Sequence, residues 1–232
     1  MSRIPFGVYD FFGYLASGFL VLAALDLVFT DGAVLKSNMQ LLPGLFWLVV
    51  AYVTGHIVAN MSSFLLERLL VQRLLGRPHQ LLFEVPARKR WTRLFPGYHE
   101  PLPQETRERV LKKAGERAGI TGPGPALFFH CFASVRGDED ARRRLDSFLS
   151  LYGFSRNVAT AAVIAVLVLA AEIIPMESVG VALRSVEFRW AIVAAIAAVG
   201  LLYRYLKFFR LYSVEVFVRY AELEPSTSAS SA

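Results

Sequence analysis

The stretch LFWLVVAYVTGHIVANMSSFLL, Leu45 to Leu66, runs 22 residues without a formal charge, and ERLLVQRLL, Glu67 to Leu75, follows it at once. An α-helix needs about 20 apolar residues to cross the hydrocarbon core of a bilayer. The first part therefore reads as a transmembrane helix. The second part mixes Glu67, Arg68 and Arg73 with leucines and is amphipathic. The helix is expected to leave the bilayer there and continue in water until Gly76 and Pro78 stop it.

Three more apolar runs have the required length. One spans about Val8 to Phe29 and is closed by Thr30-Asp31-Gly32. One spans about Asn157 to Ile174 and stops at Pro175. One spans about Phe188 to Leu206, with an amphipathic continuation to about Leu223. Arg3 followed by an apolar run resembles a secretory leader. Asp10 and Asp26 bracket that run, however, and no small-x-small cleavage site follows it, so a retained first span is expected.

Composition agrees with this reading. The 232 residues are 55% hydrophobic with a mean hydropathy of +0.44, yet they carry 25 Lys/Arg and 19 Asp/Glu, a net charge of +6. A soluble globule could not hide that much apolar surface, and a wholly embedded protein would not carry those charges. An ordinary soluble enzyme, a disordered chain and a disulfide scaffold are excluded, the last because Cys131 is the only cysteine.

The basic residues set the expected orientation. Of the 25 Lys/Arg, 22 lie in the segment 67–156 or next to the termini, and 3 (Lys36, Arg184, Arg189) lie in the two short connections. Positive charge concentrates on the cytoplasmic side. Both termini and the long central segment are therefore expected in the cytoplasm. The predicted fold is all-α: a polytopic membrane protein with four transmembrane helices and a helical cytoplasmic insertion between the second and third. The expected divisions are 1–75, a first hairpin with a cytoplasmic extension; 76–150, the basic insertion; 151–223, a second hairpin with its extension; and 224–232, a disordered tail. Within the insertion, helices are expected over Gln104–Ala118, from Pro125 to Val135, and from Glu139 to Tyr152 with Asp138 as N-cap. Gly153 is the expected hinge into the third span.

No HExxH, CxxC, GxxxxGK[ST], GxSxG or GxGxxG motif is present, and His56, His79, His99 and His130 lack metal-ligand spacing. A non-enzymatic protein with no metal and no cofactor is expected. His56 and Asn60 are four residues apart on the second span, near mid-bilayer. They read either as an interhelical polar clasp or as lining for a conduction path. Asp26, near the outer end of the first span, is expected to reach water or Lys36.

The segment 67–156 carries 17 positive and 10 negative charges. Arg88 and Arg90 fall in a cluster around Trp91, Arg142-Arg143-Arg144 precede the third span, and Arg204, Lys207 and Arg210 form a stripe after the fourth. Positive-inside topology and contact with an anionic lipid bilayer account for these residues in one reading. In the other they bind an anionic ligand, a nucleotide or a single-stranded nucleic acid. A soluble partner protein, encoded in the same operon, is the further candidate.

Two local patterns, Tyr9-Asp10-Phe11-Phe12-Gly13-Tyr14-Leu15 with Gly18 and Leu151-Tyr152-Gly153-Phe154-Ser155-Arg156-Asn157, together with the four-helix layout, resemble small membrane effector or sensor subunits of bacterial anti-phage defence systems of the Hailong and Kiwa types. The resemblance implies a homo-oligomeric, ion-channel-like assembly in the bacterial inner membrane with a charged cytoplasmic chamber. In the Hailong type a nucleotidyltransferase product binds that chamber and keeps the channel closed. The expected function is a ligand-gated or partner-gated membrane effector. The alternative is a membrane anchor that recruits a soluble enzyme without forming a pore.

Overall fold

A computed structural model describes residues 8–38, 40–84, 93–174 and 185–223. Among these residues every regular element is helical and no strand occurs. Four helices are long and apolar enough to cross a membrane. The chain divides into two compact units, Met1–Leu74 with Ser150–Leu206, and Leu75–Leu149 with Lys207–Ala232.

In the first unit, α1 covers Val8–Thr30 and carries Asp10 in its first turn, where the helix dipole favours a carboxylate. It ends in a left-handed turn at Asp31 and Gly32, whose φ values are 54° and 74°. The short α2, Ala33–Lys36, follows. Asp26 reaches forward to it: one carboxylate oxygen accepts the Val34 amide at 3.1 Å and the other the Leu35 amide at 3.0 Å. Thr30 also donates its hydroxyl to Asp26. The Lys36 ammonium donates instead to the Asp31 carbonyl at 2.5 Å. The sequence suggested water or Lys36 as the partner of Asp26. The amides that open α2 cannot be paired within the helix and take its oxygens, and Lys36 acts on the same carboxylate electrostatically.

Helix α3, Leu41–Ser62, admits Pro43 in its first turn, where no amide is needed. It continues as a π-helical segment, Ser63–Leu75, which ends at Gly76 with φ 88°. Helices α1 and α3 cross with their backbones in contact. A Cβ added to Gly18 would collide with the Ala51 carbonyl, and one added to Gly55 with the Tyr14 carbonyl. Ala51, Gly55 and Ala59, four residues apart, form the buried small-residue face of α3 that allows this approach.

Glycine 153 does not interrupt the chain. Helix α7, which carries the third apolar run, is continuous over Glu139–Ile173. A glycine costs a helix only about 1 kcal/mol relative to alanine, and the hydrogen-bonded ladder on both sides absorbs it. The apolar window of α7 is 44% buried, against 11% for that of α8, Val186–Glu222. Helix α7 is therefore the central helix of the unit. It packs Ala161 against Val21 of α1 and Val58 of α3. One turn further, Ala165 and Leu169 meet Ala24 of α1 and Ala194 of α8.

The second unit has a different interior. Helix α4 covers Pro78–Leu81, α5 covers Gln104–Ala118 and α6 covers Pro125–Val135. Helix α5 turns Val110 and Ala114 inward and stops at Gly119, whose φ of 66° suits a glycine cap. Pro125 opens α6, where its missing amide costs nothing. The Asp138 carboxylate accepts the amides of Asp140 at 2.9 Å and Ala141 at 3.4 Å, an N-cap for α7. Leu82, Leu127, Cys131, Val135, Phe217 and Tyr220 fill the core, with the Phe83 and Phe217 rings edge to face at 4.9 Å. Lys113 donates to the carbonyls of Tyr220, at 3.0 Å, and Leu223, capping the end of α8. Burial, reinforced by Arg117 and Arg109, holds its ammonium pKa below the usual lysine range. Burial pushes the Cys131 thiol up to about 12.

Candidate functional site

The most concentrated buried polar chemistry lies at one end of the apolar segments of the first unit. Glu67 comes from the π-helical segment, and Tyr152, Arg156 and Asn157 come from α7. Tyr152 and Arg156 are four residues apart and share a face. The wider winding of the π segment returns Glu67, five residues after Ser62, to the side that meets α7.

Glu67 and Arg156 form an ion pair, and the same carboxylate oxygen accepts the Tyr152 hydroxyl. The guanidinium also lies 5.6 Å from the centre of the Tyr152 ring and donates to the Asn157 side-chain oxygen at 3.2 Å. That oxygen receives the Ser62 hydroxyl at 2.8 Å as well. The Tyr152 ring lies 5.2 Å from that of Tyr205, which is fully buried on α8. One network thus ties three long helices. The side chain of Arg156 is 15% exposed and that of Glu67 is 31% exposed, so neither charge has bulk water as its main solvent. Alone, either would be a charge inside an apolar bundle; together, with one Glu67 oxygen taking both the Arg156 guanidinium and the Tyr152 hydroxyl, they are tolerable.

Sequence reasoning did not find this cluster, although a signal was available. Glu67 is the first charge after the second apolar run, and Arg156 is the last before the third. Antiparallel neighbouring helices put such positions at one depth.

The residues that the sequence singled out are placed differently. The His56 ring stacks on Tyr14 at 4.1 Å and meets Tyr52 edge-on at 4.6 Å, wedged between α1 and α3. Asn60, one turn along, is exposed. Arg142 and Arg143 reach Glu139 of their own helix at 3.8 and 4.0 Å, and Arg143 also reaches Asp140 at 2.9 Å. Arg144 lies 3.9 Å from Glu215. Arg210 donates to the Glu100 carbonyl at 2.9 Å, with the Glu100 carboxylate 3.6 Å away. The three consecutive arginines and Lys207 keep exposed side chains in the second unit, and Arg204 is exposed in the first. Arg88 and Arg90 lie outside the described residues. Among the described residues no three His, Cys, Asp or Glu side chains are grouped to hold a metal ion.

No protein-family model, curated protein or solved structure matches the chain.

Proposed function

We propose that the protein is a non-enzymatic, multi-pass effector of the bacterial inner membrane that self-assembles into an ion-conducting pore. Both termini and the second unit face the cytoplasm. An anionic ligand, a nucleotide or single-stranded nucleic acid, engages Arg142, Arg143, Arg144, Lys207 and Arg210 and sets whether the pore is open. The resemblance to anti-phage defence subunits supports the biological setting.

The observation that carries this reading is the Glu67–Arg156 pair with Tyr152, Asn157 and Ser62. A buried ion pair is a poor way to stabilise a bundle, since apolar packing of the same volume does as well or better. Its value lies in having discrete made and broken arrangements. Such a pair suits a latch between two states of a gate.

The protein reconstituted in liposomes tests the proposal. Ion flux should change on adding a short single-stranded oligonucleotide or a cyclic oligonucleotide, and reversal of Arg142, Arg143 and Arg144 to glutamate should abolish the response. A monomer that passes no ions under any of these conditions would end the pore reading.

A second reading, an anchor that recruits a soluble protein, draws on Phe129. Its ring is exposed on α6 in the second unit. Phe129→Ser would then lose the partner and leave ion flux untouched.

A further inference from the structure

Helix α3 has two unlike faces. Ala51, Gly55 and Ala59 are buried, and Gly55 meets the Tyr14 carbonyl of α1. The opposite face is exposed, and every exposed residue of α3 is apolar except Asn60. Ile57, three residues before Asn60, is 57% exposed, and Phe64, four residues after it, is 53% exposed. Residues at those spacings share one side of a helix.

We infer that this side of α3 docks on the same side of α3 in a second copy of the chain, with the two Asn60 amides hydrogen-bonded to each other. The inference rests on the membrane self-assembly proposed for the protein, and it names the contact.

The unmet amide carries it. Asn60 lies inside the apolar run Leu45 to Leu66, about 10 Å along the helix from Glu67. Its side chain is too short to reach past that distance to water. The polar side chains next to it find partners inside the unit. Ser62 donates to the Ala59 carbonyl and to the Asn157 side-chain oxygen, each at 2.8 Å, and Ser63 donates to the Ala59 carbonyl at 3.2 Å. His56 is held between Tyr14 and Tyr52. The Asn60 amide makes no hydrogen bond among the described residues. In hydrocarbon an amide without a partner is costly.

The occupant follows from the chemistry of an amide. An acyl chain offers neither donor nor acceptor. Asn60 offers both, two N–H donors and a carbonyl oxygen, so it is complementary to a second Asn60. A two-fold axis brings a residue against its own copy and meets both needs without a foreign sequence. Amide side chains hydrogen-bond across helices in membranes, where apolar faces gain little over lipid. A single asparagine among apolar contacts also fixes the register of paired helices.

Full-length protein in liposomes at graded protein-to-lipid ratios tests the contact, with donor and acceptor dyes on a C-terminal tag reading association as energy transfer. Asn60→Leu should need roughly three- to thirty-fold more protein per lipid than wild type to reach half transfer, the range that interhelical hydrogen bonds command. Asn60→Gln, which keeps the amide, should stay closer to wild type than Asn60→Leu does. Asn60→Cys treated with copper phenanthroline should give a disulfide-linked dimer. Wild type should not, because its one thiol, Cys131, is buried. Neither should Ile196→Cys, whose site on α8 is 68% exposed. Asn60→Leu associating as wild type does, or Asn60→Cys staying uncrosslinked while wild type associates, would overturn the contact. So would reaction of Asn60→Cys with a membrane-impermeant thiol reagent, which would put the position on an aqueous path. Wild type without energy transfer at any ratio would instead overturn the self-assembly beneath it.

Discussion

The crossing of α1, α3 and α7 in the first unit is lined mostly by small side chains, although Leu169, Tyr205 and Leu206 of that unit are buried as well, whereas the core of the second unit is filled mainly by large ones. Along the crossing of α1, α3 and α7 the interior is Ser17, Ala24, Ala51, Ala59, Ala161, Ala162 and Ala165, while Phe46, Val53, Ile57 and Ile196 point outward. In the second unit Leu82, Leu127, Val135, Phe217 and Tyr220 are inside, and Arg109, Lys112, Glu116 and Arg143 are outside. One chain thus uses opposite rules. In water, burying a large apolar side chain stabilises by about 1.5–3 kcal/mol. In lipid the surroundings are as apolar as leucine, so helices associate through backbone approach and polar contacts instead. The contrast fits the proposed placement of the long apolar helices in lipid.

Substitutions can break this comparison. The largest effect is expected at the helix crossing. Gly18→Leu or Gly55→Leu places a side chain where a backbone carbonyl already lies. Overpacking of this kind costs ~3 kcal/mol or more, and loss of folded protein in detergent, followed by size exclusion and thermal unfolding, would show it. Next comes the interior of the second unit. Leu127→Ala and Phe217→Ala should each cost about 3–5 kcal/mol, seen as earlier proteolysis or unfolding. By contrast Val53→Ala and Ile196→Ala, at exposed apolar positions of the first unit, should stay within about 0.5 kcal/mol. A large loss at either would mean those faces are packed against protein rather than lipid.

A smaller effect concerns Cys131. Its thiol is held neutral by burial, with the pKa raised to about 12. The unfolded chain releases this proton at a lower pH, so the contribution to stability is whole at neutral pH and is lost as pH rises from about 9 towards 12. The folded protein should resist iodoacetamide at pH 8 and react once denatured. Smallest of all is Arg143→Ala. Its ion pairs to Glu139 and Asp140 are exposed, so stability should change by about 0–0.5 kcal/mol, measured as a near-constant melting temperature.

Much of the fold was legible in the sequence because it depends on local chemistry. Run length marks the four apolar segments. Gly119, Pro125 and Asp138 punctuate α5, α6 and α7 where a glycine cap, a first-turn proline and a carboxylate cap are expected. Gly153 misled because glycine permits a break without requiring one, and the packed helix around it favours continuity. The surroundings of Asp26 were legible in part. Its charge pointed to Lys36, which does act on it, while the two amides that hydrogen-bond to it belong to a short helix the sequence does not announce. The candidate site was the least legible part. Glu67 and Tyr152 are 85 residues apart, and nothing local to either names the other. The stripe Ala51, Gly55, Ala59 was readable but inconspicuous within an apolar run.

The central claim is that the Glu67–Arg156 pair latches the spanning helices in a closed state. Ion flux through liposomes carrying wild type, Glu67→Gln, Arg156→Gln and the exchanged pair Glu67→Arg with Arg156→Glu tests it most directly. The account predicts that both single variants leak without added ligand, and that the exchanged pair restores the closed state of the wild type. Single variants as tight as wild type, or an exchanged pair that leaks as much as they do, would contradict it.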